Sequence, residues 1–154
     1  MNPQTELDSN YSLHDKWGKT LDAGFVVIPA ALLRYQTKLG IGDGELVVLM
    51  NLIMAWWRVS EFPFPRTSTL AMRMGVSART VQRHIERLEE KGFIRRIWAS
   101  ARQDARQPAM RYDLKGTVER LKQIEETGGR VQEHLMAPVL MTAENLENPA
   151  KYQS

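Results

Sequence analysis

The sequence predicts a mostly helical protein with one small β-hairpin, and two features support this class. Apolar residues recur at helical spacing in several short segments between residues 29 and 126. Two other segments are typical of strands, Phe93–Trp98 and Ala109–Leu114, and the second alternates apolar with polar residues. The polar segment between them, residues 99–108, therefore predicts a hairpin with a long tip.

The amino-terminal part of the chain begins with a polar extension, residues 1–24, that has no periodic pattern. Residues 25–28 favour a short β-segment because they are aromatic and β-branched. Pro29 suits the first turn of a helix that continues to Leu39 and stops at Gly40. A first helical element is therefore expected directly after the β-segment.

The next predicted helix, Gly44–Trp57, is the most apolar part of the chain, and Asp43 is its candidate N-cap. Two prolines then break the chain, and the neighbouring Phe62 and Phe64 are expected to pack inward. The helix repeats its apolar residues at helical spacing, which predicts a core-facing side. This side consists of Leu46, Leu49, Met50, Ile53 and Trp57.

Two short helices, Thr67–Met74 and Ala78–Lys91, have the residues that are needed to pack at a steep angle across a three-residue turn. Ala71 is small where the second helix must cross the first. Gly75 tolerates a positive φ, and Val76 is expected to fill the core behind the turn. The spacing therefore predicts a pair of crossed helices here.

The second of these helices has its own start signal and its own apolar side. Ser77 supplies an N-cap oxygen for the first turn. The apolar positions follow at spacings of four and three, so one side faces the first helix and the other faces solvent. The inward positions are Val81, Ile85 and Leu88.

These residues resemble the bacterial helix-turn-helix family of DNA-binding proteins. The resemblance is carried by Ala71, by the turn Gly75-Val76-Ser77 and by the run Thr80-Val81-x-Arg83. The continuation over residues 88–94 is similar to the winged version, in which the recognition helix ends at a glycine and enters a wing hairpin. The resemblance implies a winged helix-turn-helix fold with flanking helices and binding to double-stranded DNA.

A wider span, residues 25–114, resembles plasmid RepA-type replication initiators and the amino-terminal domain of DnaD-like proteins. Two positions depart from the family pattern: Arg66 stands where a capping serine is common, and His84 stands where a small or apolar residue is common. The features that carry the wider resemblance are Ile28-Pro29, Trp56-Trp57, Phe64-Pro65 and Leu70-Ala71.

The outward side of the predicted recognition helix supplies the candidate DNA contacts, because a helix fits the major groove and its amino-terminal residues reach base edges. Arginine suits guanine and glutamine suits adenine, whereas residues near the helix start suit phosphate. The base-reading candidates are Ala78, Arg79, Gln82 and Arg83, and the phosphate candidates are Ser77, Thr80 and Arg87. The alternative is that these are ordinary solvated residues.

The predicted wing offers a second contact, through Arg102 and Arg106 at its tip. Arg95 and Arg96 are consecutive on a strand, so they point to opposite faces and cannot both contact DNA. Residues 66–115 contain 12 basic and 5 acidic residues, a net charge of +7 in a chain whose total is +3. This concentration favours a phosphate-bearing partner, and a solvated basic surface is the alternative.

The sequence offers nothing for catalysis or for a cofactor. It has no cysteine, its three histidines lie far apart, and no phosphate-binding glycine loop is present. We therefore expect no enzyme, no metal site and no cofactor, and no small-molecule ligand is indicated. The absence of a secretory leader or an apolar run of about 20 residues predicts a cytoplasmic protein without a membrane partner.

Four regions are expected: an extension (1–24), a winged-helix DNA-binding domain (25–115), a bracing helix (116–136) and a flexible tail (137–154). Thr117 is the candidate cap of a helix that ends near Glu126.

The predicted function is sequence-preferring DNA binding, in transcription regulation or in plasmid- or phage-type replication. A winged-helix module that binds protein instead of DNA is the alternative. A homodimer through residues 29–39 and 117–136 would pair two half-sites.

Overall fold

The computed structural model describes residues 13–99 and 109–129. This part of the chain is mostly helical with one antiparallel hairpin, as predicted. A 3₁₀ helix, Gly18–Ala23, follows the first helix. The helices are α1 (Leu13–Trp17), α2 (Ala30–Arg34), α3 (Gln36–Leu39), α4 (Asp43–Met54), α5 (Thr67–Met74), α6 (Ala78–Glu90) and α7 (Lys115–Glu126), and the strands are β1 (Arg95–Ala99) and β2 (Ala109–Asp113).

The single helix predicted after Pro29 is two short helices, α2 and α3, interrupted at Tyr35. The β-segment predicted for residues 25–28 is wrong, because these residues have no regular secondary structure and pair with neither strand. A β-favouring composition is not sufficient for a strand when no partner edge is within reach.

Helix α4 begins at a different cap from the one predicted. Gly42 is the N-cap, and its N–H donates to the Glu45 carboxylate over 3.2 Å. The Asp43 carboxylate instead accepts from the side-chain amide of Gln36 over 3.0 Å.

Helix α4 ends at Met54, three residues before Trp57, which is 85% exposed. The core position predicted for Trp57 is therefore wrong, because helical spacing no longer applies beyond Met54.

One hydrophobic core lies between α4, α5, α6 and α7 and is closed by the hairpin. Its largest fully buried side chains include Phe93, Leu49 and Leu52.

The prediction that Phe62 and Phe64 pack inward is wrong, and Phe64 is 62% exposed. Pro63 between them is buried, and its carbonyl accepts the Tyr112 N–H of β2 over 2.9 Å. The backbone beside this proline, rather than the aromatic rings, therefore braces the hairpin.

A largely buried ion pair joins the start of α4 to the end of α6. The Lys91 ammonium lies 2.6 Å from the Glu45 carboxylate, whose side chain is only 4% exposed. The same ammonium donates to the Gly40 carbonyl over 2.6 Å. Because the Glu45 carboxylate also accepts the Gly42 N–H, one pair of side chains fixes the α3–α4 turn against the last turn of α6.

Helix α7 begins at Lys115, two residues before its predicted cap. The Asp113 carboxylate accepts the Lys115 N–H over 2.9 Å and satisfies one of the free donors of the first turn. Thr117 is buried inside the helix, and its hydroxyl donates to the Phe93 carbonyl over 2.8 Å. The capping role predicted for Thr117 is therefore wrong, and the residue instead fastens α7 to the start of the hairpin.

Replacing Gly116 by alanine is expected to destabilise the domain by about 1–3 kcal/mol. A Cβ at Gly116 would overlap the carbonyl oxygen of Gly92, which is backbone and cannot turn aside. Urea unfolding followed by circular dichroism measures the loss. Lys115→Ala, one residue earlier and exposed, is the matched control and should leave the free energy of unfolding nearly unchanged. Equal stability of Gly116→Ala and the unaltered protein would contradict the close packing of α7 on this turn.

Candidate nucleic-acid interface

The turn between α5 and α6 has the geometry that its residues predict. Gly75 has φ 65° and ψ 32°, the left-handed region that glycine adopts without strain. Ala71 is buried where α5 meets α6, and its carbonyl accepts the Val76 N–H over 3.1 Å. Val76 itself is 37% exposed, so its predicted core position is wrong. Met74, on the last turn of α5, packs against the core instead.

Helix α6 has the predicted N-cap, and its apolar side is buried as predicted. The Ser77 hydroxyl accepts the Thr80 N–H over 3.1 Å and so caps the first turn. The inward positions all lie in the core, at most 2% exposed: Val81, Ile85 and Leu88. The opposite side of the same helix is therefore the side that remains available to a partner.

That available side carries the predicted contact residues. Arg79, Arg83 and Arg87 follow one another at a spacing of four residues, so they form a stripe along the helix. Within residues 13–99 and 109–129, none of these three guanidiniums lies in an ion pair. Of the predicted contact residues on or beside α6, Thr80 is half-buried and the others are exposed, namely Ser77, Ala78, Arg79, Gln82, Arg83 and Arg87.

His84, which departs from the family pattern, lies where α6 crosses α4. Its ring is half-buried against Gly44, and a Cβ at Gly44 would overlap the ring. A glycine on one helix thus makes room for a large side chain on the other. The two residues are 40 positions apart, so only their pairing, and neither one alone, could have indicated the contact.

The hairpin lies beside α6, and both arginines of its first strand, β1, lie in ion pairs. Arg95 lies 3.1 Å from the carboxylate of Asp113, its partner across the hairpin. Arg96 lies 2.6 Å from the carboxylate of Glu89 on α6. The two arginines of β1 are therefore neutralised. The tip candidates Arg102 and Arg106 lie outside the described residues.

Glu89 joins α6 to the hairpin through hydrogen bonds as well as through an ion pair. One carboxylate oxygen accepts the Arg96 backbone N–H over 2.8 Å, and the other accepts from the Arg96 guanidinium over 2.6 Å. A charge-assisted pair of bonds of this kind fixes orientation as well as distance. The hairpin is thereby held against the last turns of α6.

Tyr112, which is opposite Arg96 in the hairpin, ties β2 to the start of α5. Its ring is buried, and its hydroxyl is hydrogen-bonded to the Thr67 side chain. Burial raises the pKa of Tyr112 above its ordinary value, and the Thr67 bond and the Arg96 charge only partly offset this effect. The fold therefore favours the neutral phenol.

A raised pKa in the folded state means that the stability contributed by Tyr112 is complete below pH 10 and is lost as pH rises through the folded pKa. We expect the free energy of unfolding to fall above pH 10 and Tyr112→Phe to show a smaller fall. Urea unfolding at pH 8 and pH 10.5, compared between the two proteins, measures the difference. A fall of equal size in both would contradict this assignment.

The order of these elements is that of a winged helix-turn-helix: two helices crossed at a glycine turn, followed directly by a hairpin. Residues 39–94, which span the end of α3 to the start of the hairpin, match the family model described as a helix-turn-helix domain. This segment therefore has the fold of a helix-turn-helix domain, and α6 is the second helix of its crossed pair.

Two solved structures are similar to the chain around this domain. The amino-terminal domain of the DnaD protein from Geobacillus kaustophilus is 29% identical with a TM-score of 0.49, covering 75% of this chain and 97% of that one. The transcriptional regulator PA3341 is 21% identical with a TM-score of 0.41, covering 89% of this chain and 88% of that one. No curated protein sequence matches the chain.

The described residues contain neither a membrane-spanning helix nor a metal-binding cluster. None of the helices in residues 13–99 and 109–129 is long and apolar enough to cross a membrane. The same residues contain no group of three or more histidine, aspartate or glutamate side chains placed to hold a metal ion.

Proposed function

We propose that the helix-turn-helix domain binds double-stranded DNA with a preference for one sequence, with α6 lying in the major groove. The observation that carries the proposal is the arginine stripe of α6, Arg79, Arg83 and Arg87, which is exposed and has no ion pair within the described chain. The two arginines of β1, in contrast, are held by carboxylates. Cations that no protein acid neutralises are available to a polyanion.

The position of each residue along α6 determines which part of the DNA it would contact. Arg79 and Arg83 lie in the first two turns and would each bind guanine O6 and N7 with two hydrogen bonds. Gln82 lies between them and suits adenine, while Ala78 allows close approach. The backbone phosphates would be held by two residues at the start of the helix and one in its second half, namely Ser77, Thr80 and Arg87. We further propose that Arg102 and Arg106 of the wing contact the adjacent minor groove.

The biological role we propose is that of a transcription regulator or of a plasmid- or phage-type replication protein. Both roles need a protein that marks one DNA site, so the location of that site distinguishes them. A site repeated at an origin supports replication, and an operator in a promoter supports regulation.

We also propose that two copies bind together, because one short recognition helix reads few base pairs and paired half-sites add affinity. The proposed contact uses residues 29–39 and 117–136. Within one chain these two segments already lie side by side: Arg34 lies 3.9 Å from Glu125, and Lys38 donates to the Gly129 carbonyl over 2.6 Å. Sedimentation equilibrium at tens of micromolar, with and without DNA, tests this point, and a monomer in both samples would contradict it.

The experiment that tests the proposed function is selection from a library of random duplexes, followed by sequencing, at two salt concentrations. Enrichment of one motif is the expected result. The affinity for that motif should fall linearly on a log–log plot against salt, and Arg87→Ala should reduce the slope by about 1 while weakening all sequences alike. Salt-sensitive binding without enrichment would leave only a phosphate-binding role. Absence of binding at low salt would contradict DNA binding and favour the protein-interaction alternative.

A further inference from the structure

A cleft of about 860 Å³ opens on the side of the domain formed by α4, α5 and α7. Its walls come from four separate parts of the chain: the segment 23–29, the end of α4 and the residues after it, one side of α5 with the two residues before it, and the first two turns of α7 with the residue before it. The volume is within the range of about 300–1,000 Å³ that is usual for small-molecule sites.

The walls of the cleft are mainly apolar and include aromatic rings that face solvent. Phe25 and Val27 lie on one wall and Trp57 on another, and all three are exposed. Trp56 and Ile53 form the deeper part and pack on the core. Exposed apolar residues that converge on one concavity, rather than being scattered over the surface, are typical of a ligand site.

One stripe of α5 supplies the polar part of the cleft. Thr69 and Arg73 share a side of the helix, and Arg66, its N-cap, lines the same cleft. The Arg73 guanidinium donates to the Asn51 side chain over 3.3 Å, and neither arginine lies in an ion pair within the described chain. No aspartate or glutamate is among the residues that line the cleft, so its formal charge is positive.

We infer that this cleft binds an organic anion of small-molecule size, with its apolar body against the aromatic walls and its carboxylate or sulfonate on Arg66 and Arg73. An arginine holds a carboxylate with two parallel hydrogen bonds, and these bonds are stronger where apolar walls exclude water. A neutral molecule of the same size would leave the two arginines without a counter-ion. The site does not overlap the arginine stripe of α6, and the inference does not rest on DNA binding.

The test uses the full-length protein without DNA and the fluorescent dye 8-anilinonaphthalene-1-sulfonate, whose aromatic body and single negative charge match the cleft. We expect its emission to rise with saturation at one site per chain. Decanoate should displace the dye, whereas 1-decanol, which has the same chain length without the charge, should displace it about tenfold less well. This comparison needs no variant, so it is independent of any effect of mutation on folding.

Substitution then locates the site. Arg66→Gln/Arg73→Gln should weaken dye binding about tenfold or more. Arg58→Gln is the matched control, because Arg58 is an exposed arginine that pairs with Glu61 over 3.4 Å and does not line the cleft. Circular dichroism confirms that each variant is folded, and the control should bind the dye like the unaltered protein.

Three results would overturn the inference. The first is equal displacement by decanoate and 1-decanol, which would mean apolar adsorption without recognition of charge. The second is an equal loss of dye binding in the Arg58 control and in the double variant. The third is dye binding that disappears as the protein concentration rises and the chain dimerises, which would mean that a second copy covers the cleft.

Discussion

Replacing Arg79 and Arg83 together by alanine is expected to abolish sequence-selective DNA binding and to leave the fold intact. Both side chains are exposed on α6, and neither takes part in an ion pair within the described chain, so their removal breaks no internal ion pair. A two-hydrogen-bond interaction of arginine with guanine discriminates by about 1–3 kcal/mol. Removing both of these interactions should reduce the affinity for the selected duplex by about a hundredfold or more.

Fluorescence anisotropy with the selected duplex and with a scrambled duplex measures this reduction. The matched control is Lys19→Ala/Arg58→Ala, which removes the same charge from exposed side chains outside α6 and outside the proposed dimer contact. The control should retain the preference for the selected duplex and show only a small, salt-dependent weakening. If the α6 variant still preferred the selected duplex, or if the control lost the preference equally, base reading by these arginines would be wrong.

Replacing Lys91 by methionine is expected to lower the free energy of unfolding by about 3–5 kcal/mol. The substitution keeps the length of the side chain but leaves the Glu45 carboxylate, only 4% exposed, without its cationic partner. It also removes the donor to the Gly40 carbonyl. An unpaired buried charge is much more costly than the pair is stabilising, so the loss should be large. Urea unfolding monitored by tryptophan fluorescence measures it.

The partner substitution identifies the cause. In Glu45→Gln/Lys91→Met the charge is removed together with its counter-ion, and the glutamine amide oxygen can still accept the Gly42 N–H. Most of the lost stability should therefore return. A double variant as unstable as Lys91→Met would indicate lost packing of the lysine stem instead of an uncompensated charge, and a fully stable Lys91→Met would contradict the role of the pair.

The features that the sequence predicts correctly depend on residues close together in the chain. The left-handed turn at Gly75 and the cap at Ser77 each require one residue type at one position. The burial of Val81, Ile85 and Leu88 follows from spacing along a single helix. The match of residues 39–94 to a helix-turn-helix domain lies in this same region, where local rules and fold agree.

The features that the sequence predicts wrongly depend on distant parts of the chain. A core position for Trp57 follows only if the periodic pattern is extended past the true end of α4, and one for Val76 follows from its residue type alone. Thr117 resembles a cap, but the Phe93 carbonyl accepts its hydroxyl bond. The cleft beside α5 gives no signal, because its walls come from four segments and its two arginines are seven residues apart. Such contacts are properties of the packed chain.

The division of α6 into two sides has a consequence for how the protein can change over time. The side chains that hold α6 in place, Val81, Ile85, Leu88 and Glu89, are different from the ones that face outward, so neither set constrains the other. With base reading by α6 as proposed, exchange of residues 79, 82 and 83 is expected to alter the preferred sequence without a loss of stability. The proposed mode of binding would then allow new target specificities to be selected, in nature or in the laboratory, by changing as few as three codons.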